Sequence, residues 1–288
     1  GWYDPFLPGQ LNDYKTIEQL GSPLVSEETK LIIGPWAHAR EVDLPNYKKK
    51  DGYRIASIAP SIPWFDHQLG ISPPTLMMPK VKIFVMGINE WRDENEWPLK
   101  RTQYSTYYLH SNGNANTISG DGQLLSEMPV SENITDTYIY DPLNPVPSSG
   151  GAMLGDRAGV KKQNHLFNRQ DILIYKLPRL KDQLEITGPI KVNLYINSTA
   201  KNTDFTAKLI NVYPNGDAYN ISAGIKRINI NSEEDPIHIE IDLWPTSIVL
   251  FEGHQLLLEI SSSNFPRYDR NMNSGEFFAT AKQPEIAT

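Results

Sequence analysis

The chain has 288 residues, with 27 Lys plus Arg against 34 Asp plus Glu and a formal net charge of −7. The acidic balance argues against a nucleic-acid binder, no apolar run approaches the roughly 18–20 residues of a membrane span, and the absence of cysteine excludes disulfides, thiolate metal sites and a cysteine nucleophile. The length suggests two domains or one large one, and 19 Gly with 22 Pro favour a turn-rich, β-rich build.

Taken in order, residues 11–20 put Leu11, Tyr14, Ile17 and Leu20 on one face of a helix. Residues 30–33 (KLII) predict a short buried strand stopped by Gly34-Pro35. Residues 62–69 predict a helical turn or two, with Pro63 tolerated near the start. Residues 71–79, with Pro73, Pro74 and Pro79, read as a loop, and 81–86 (VKIFVM) as a strand. This alternation is an α/β rhythm. The polar stretch Leu99–Gln103 marks the expected boundary between a first domain, 1–103, and a second, 104–288. Beyond it the period becomes two. Ile190, Val192, Leu194 and Ile196 alternate with polar residues. So do Phe205, Ala207 and Leu209, and Ile237, Ile239, Ile241 and Leu243, while Leu256, Leu258 and Ile260 continue the theme. Such alternation predicts antiparallel strands with one face buried and one wet, and Asn215-Gly216 predicts a hairpin turn. The second domain is expected to be a β-sandwich or jelly roll.

Two segments of the first domain carry chemistry. Gly1-Trp2-Tyr3-Asp4 ends in an acid, and Gly34-Pro35-Trp36-Ala37-His38 follows the KLII strand with a histidine. A helix pattern and a strand lie between them, about one βαβ crossover, so parallel neighbours would bring both residues to the carboxyl edge of one sheet. An acid followed by a histidine is the Asp…His half of a Ser…Asp…His triad in α/β-hydrolase order. Pattern alone leaves a second reading open, in which Asp4 is an Asx-turn residue and His38 a capping or surface histidine.

The segments GWYDPFLPG, LIIGPWAHA, PKVKIFVMGINEWRDENEWP, NTDFTAKLINVYPNG and EGHQLLLEISSSNFPRYDRN resemble the cocaine-esterase-like (CocE/NonD) hydrolases, relatives of the X-prolyl dipeptidyl-peptidases and glutaryl-cephalosporin acylases. The likeness runs in order from Gly1 to about Gly275. It implies an α/β-hydrolase catalytic domain of which this chain holds the last part, followed by an all-β jelly-roll domain. It also implies a serine hydrolase acting through an acyl-enzyme on acyl esters, acyl amides or Xaa-Pro peptides, without a cofactor or metal. Asp4 matches the family's catalytic acid and His38 its catalytic histidine. Phe6 matches an aromatic lining the acyl pocket, and Leu154, in the GGAML loop, falls where the second domain reaches over the site.

One departure bears on activity. The family carries its serine in a G-x-S-x-G elbow upstream of the acid, and this sequence has no G-x-S-x-G. The expectation is a C-terminal half of a longer hydrolase, inactive by itself. Its unfinished sheet edge is expected to favour association into a homo-oligomer.

The remaining candidates carry plainer expectations. Asp66 and His67 with His38 make a poor metal set, because adjacent residues seldom reach one ion. The cluster Trp91, Arg92, Asp93, Glu94, Glu96 and Trp97 reads as junction packing with Arg92 paired to an acid. Ser261-Ser262-Ser263-Asn264 reads as turn chemistry, His238 as solvated, Lys48-Lys49-Lys50 as a solvated loop, and Asn133, Asn197 and Asn220 as starts of N-x-S/T sequons. The rival function is a non-catalytic sandwich that binds carbohydrate or a protein partner; the Asp4/His38 pair has no place in it.

Overall fold

A computed structural model describes residues 1–47, 53–71, 78–130, 134–230 and 236–288. The Lys48–Lys50 run, Pro73, Pro74 and Asn133 lie outside the described residues.

The chain is mostly sheet, with its helices near the start. Helix α1 (Leu7–Leu20) has Pro8 in its first turn and buries Leu7, Leu11 and Tyr14. The predicted apolar face is therefore inside only as far as Tyr14, and Leu20 stands 81% exposed. Helix α2 (Pro23–Glu28) starts at Ser22, whose hydroxyl accepts from the Val25 N–H at 3.4 Å. Strand β1 (Leu31–Ile33) follows, then a tight hairpin of β2 (Trp36–Ala37) and β3 (Arg40–Glu41). Helices α3 (Tyr53–Ser57) and α4 (Ser61–Gln68) precede β4 (Val81–Val85), which pairs parallel to β1. Strand β5 (Glu90–Glu94) returns antiparallel on β4, giving a sheet ordered β1-β4-β5.

The rest is antiparallel, apart from one parallel step. Strands β6 (Tyr108–His110), β7 (Gln123–Leu125), β8 (Leu173–Lys176), β11 (Asn202–Val212), β12 (Ala218–Asn229) and β15 (Gln255–Ser261) form a sheet ordered β12-β11-β15-β8-β7-β6, in which β7 and β8 are parallel. Strand β10 (Lys191–Ile196) pairs with β13 (Ile237–Asp242), and β9 (Leu184–Gly188) with β14 (Thr246–Leu250). Asn215-Gly216 turns β11 into β12, with Gly216 at φ 87°, where a side chain is strained.

Strands β10 and β13 keep the predicted alternation, one face in and one face out. Strands β11 and β15 do not, because the six-stranded sheet has core on both faces. Phe205, Ala207, Leu209, Leu256, Leu258 and Ile260 belong to the main core, whereas Ile210, Val212, Ile174 and Leu257 pack with Val146, Leu166 and Phe167 on the other side. The polar side chains expected in water are thus buried and paired. Lys208 Nζ donates to Glu259 Oε2 at 3.0 Å and Gln163 Oε1 at 3.1 Å. Arg227 forms two bonds to Asp204, each 2.7 Å, and Thr206 meets Ser261 at 2.8 Å. Burial without such partners would cost several kcal/mol per charge, of the order of 3–5.

The main core runs unbroken from Trp2 and Tyr3 to Ile260. At the junction, Met86 and Ile248 form a parallel bridge, and Trp2 Nε1 donates to the Phe84 carbonyl at 2.7 Å. Trp97 is buried against Trp2, and Arg92 holds Glu185 by two bonds of 2.7 and 3.0 Å, as the junction reading of this cluster expects.

Candidate active site

Residues Trp2 and Tyr3 run parallel to the β2 arm of the hairpin. The Trp2 N–H donates to the Gly34 carbonyl at 2.9 Å, the Tyr3 N–H to Trp36 at 3.1 Å, and Tyr3 bridges Ala37 in parallel. This direction carries the next residue of each segment, Asp4 and His38, to the same edge. Asp4 then turns into α1, its Oδ1 accepting from the Phe6 N–H at 2.9 Å and its carbonyl from the Leu7 N–H at 3.1 Å. The Asx-turn reading of Asp4 is therefore correct, and it uses one carboxylate oxygen only.

The other oxygen, Oδ2, lies 3.3 Å from His38 Nδ1. His38 and Ala39 form the two-residue turn between β2 and β3, with Ala39 in the left-handed region at φ 53°. A hairpin tip projects its side chain clear of the sheet. The His38 side chain is 46% exposed while that of Asp4 is 13%. With Nδ1–H donating to the Asp4 carboxylate, Nε2 of this half-exposed imidazole is the nitrogen that can accept a proton. The ring of Phe6 meets the imidazole edge-on at 5.0 Å.

Leu154 sits on the exposed tip of the loop 151–159. The loop is closed at its base by reciprocal bonds between Gly151 and Gly159, 2.7 and 2.9 Å. Gly159, at φ 90°, abuts the Val42 side chain so closely that a Cβ would sit 2.7 Å from it. The tip reaches the His38 hairpin through an ion pair between Asp156 and Arg40. Neither partner of that ion pair stands out in sequence, since 116 residues separate them.

Other candidates resolve into structure. Asp66 and His67 lie on α4, and among the described residues no group of three or more His, Cys, Asp or Glu is placed to hold a metal. Ser261, Ser262 and Ser263 are buried braces rather than a turn: Ser262 bonds the Tyr138 hydroxyl at 2.8 Å, and Ser263 accepts from the Val146 N–H at 2.8 Å. Asn220 is buried, its side chain bonded to Gly159 and Lys161. His238 is exposed beside Asn193, as expected. Among the described residues no helix is long and apolar enough to cross a membrane.

Residues 77–286 match the family described as the X-Pro dipeptidyl-peptidase C-terminal non-catalytic domain. Over its whole length the chain is 37% identical to the cocaine esterase of Rhodococcus sp. strain MB1 Bresler, covering 52% of that protein. Two solved structures share the fold at low identity. One is an aminopeptidase from a marine-sediment thaumarchaeote, with a TM-score of 0.80 and 24% identity over 97% of this chain and 49% of that one. The other is an α-amino acid ester hydrolase, with a TM-score of 0.79 and 22% identity over 97% and 50%. The chain thus spans about half the length of these relatives. Asp4 and His38 both precede the stretch that matches the non-catalytic domain.

Proposed function

The chain belongs to the CocE/NonD hydrolases, with their X-Pro dipeptidyl-peptidase C-terminal domain at 77–286, and from that premise we propose that it is the C-terminal portion of a serine hydrolase that contributes two thirds of a triad. In this reading residues 1–103 are the last piece of an α/β-hydrolase domain and 104–288 a jelly roll. The nucleophilic serine belongs to sequence outside this chain.

The observation that carries the reading is the contact of Asp4 Oδ2 with His38 Nδ1 at 3.3 Å, made at the ends of parallel segments. His38 takes the serine proton at Nε2 as the hydroxyl attacks the acyl carbon, then returns it to the leaving alcohol or amine. Water repeats the exchange to release the acid. Asp4 holds the imidazole in the Nδ1–H tautomer and stabilises the imidazolium while it exists. Phe6 and Leu154 border the acyl group. Acyl esters, acyl amides and Xaa-Pro peptides fit this chemistry as substrates.

Without a nucleophile the pair makes no acyl-enzyme. The purified 288-residue chain is therefore expected to leave an activated acyl ester at its background rate. Turnover above background that vanishes in His38→Ala would contradict this assignment of the serine to sequence outside the chain.

A further inference from the structure

The loop 151–159 is hydrogen-bonded at its base and exposed at its tip. The base is held by the Gly151–Gly159 bonds, by Asn220 Nδ2 on the Gly159 carbonyl at 3.0 Å, and by Gln163 Nε2 on the Ser149 carbonyl at 2.8 Å. The tip, Leu154 to Arg157, is exposed. The Asp156 carboxylate on the Arg40 guanidinium ties this tip to the first part of the chain, beside the packing of Gly159 on Val42 at the base. Arg40 lies on β3, paired directly with Ala37 across the turn that carries His38. One ion pair therefore joins the loop bearing Leu154 to the hairpin bearing His38.

We propose that Arg40 and Asp156 are positioning residues, a latch that fixes the tip of the loop 151–159 against the His38 hairpin and so sets where Leu154 meets the acyl group. The claim for the acyl group rests on the site reading above; the latch itself does not. Three features support the latch. The hairpin is short, two paired residues per arm, so a tether on β3 acts close to its tip. Gly155, at φ 82°, has no atom within 4 Å of where a Cβ would sit, so no neighbouring side chain packs on the tip there and the ion pair is what meets it. Arg40 holds the Asp156 carboxyl below its usual range, chiefly by the hydrogen bond and then by charge.

Hydrogen exchange on the 288-residue chain at low salt tests the latch directly. Arg40→Met and Asp156→Asn are each expected to speed exchange at 152–158 and at 36–41 by about two- to fivefold, the range of an exposed ion pair. The charge-swapped double variant, Arg40→Asp with Asp156→Arg, is expected to recover much of the protection. Unchanged exchange in both single variants would overturn the latch, and so would accelerated exchange that the swap fails to recover. In a polypeptide joining this chain to its serine-bearing half, the single variants are expected to raise KM for a bulky acyl ester about two- to fivefold with kcat nearly unchanged. Accelerated exchange in the single variants with a flat KM would overturn the role at the acyl group. If His38→Ala in that polypeptide left turnover intact, the site reading would fail while the exchange result stood.

Discussion

Asp4 and His38 divide their work by exposure. The carboxylate is tucked under the start of α1 and the imidazole stands on a hairpin tip, so in the proposed triad the acid would be fixed and the base accessible. If the proposed triad holds, in a polypeptide joining this chain to a serine-bearing half Asp4→Asn is expected to lower kcat by about 10⁴-fold with little change in KM, because the amide can donate to Nδ1 and select the wrong tautomer. Steady-state kinetics on an ester substrate checks this; a loss within tenfold would remove Asp4 from the orienting role. The pairing of these two residues is legible in sequence because each follows an aromatic segment at a strand end. Arg40 and Asp156 are not legible, because nothing local marks an ion pair between a hairpin and a loop 116 residues away. Lys208 and Glu259 mislead for a related reason. Alternation announces which residues share a face, but not whether a second layer covers that face.

Among the elements, the crossing of β12 and β13 is the tightest that glycine permits. A Cβ at Gly224 would lie 1.9 Å from the Asp242 carbonyl oxygen and 2.8 Å from its carbon, both backbone atoms that cannot rotate away. Gly216, by contrast, has open space around it and only its φ of 87° to lose. Gly216→Ala is therefore expected to cost about 1 kcal/mol and Gly224→Ala about 1–3 kcal/mol or more. Thermal melts of the two variants rank them; equal losses would mean that β12 and β13 give way easily. Gly224 has no turn signal and looks like any strand glycine in sequence. Strands β10 and β13 were readable because their outer faces meet water, so the period of two survives intact. In β11 it does not, because the segments around Val146, Leu166 and Phe167 cover the far face.

At the scale of the whole molecule, one core joins the helical start to the sheets, and buried tyrosines are spread through it. Burial raises Tyr3, Tyr140 and Tyr175 well above the ordinary tyrosine value, with nearby Asp136 adding to the effect at Tyr175. Burial likewise pushes Tyr213 from 10.0 to about 12. A raised folded value means that the unfolded chain loses its protons first. The contribution of these groups to stability is thus complete below pH 10 and is lost as pH rises from there toward 12 and beyond. Circular dichroism and tyrosinate absorbance, followed together, should show unfolding accompany ionisation in that window. Full ionisation near pH 10 without loss of structure would contradict the buried placement. The sheet-rich build of the later part was readable from its period of two; the continuity of the core from the helical start into the sheets was not, since period reports on single elements.

In the proposed triad Asp4 and His38 are the acid and base, and the serine lies on neighbouring sequence. Reading the coding DNA immediately upstream of Gly1 tests it most directly. An in-frame strand, a G-x-S-x-G elbow and a helix are expected there. A stop codon followed by a start just ahead of Gly1 would contradict it, leaving the Asp4–His38 contact as a pair without a nucleophile.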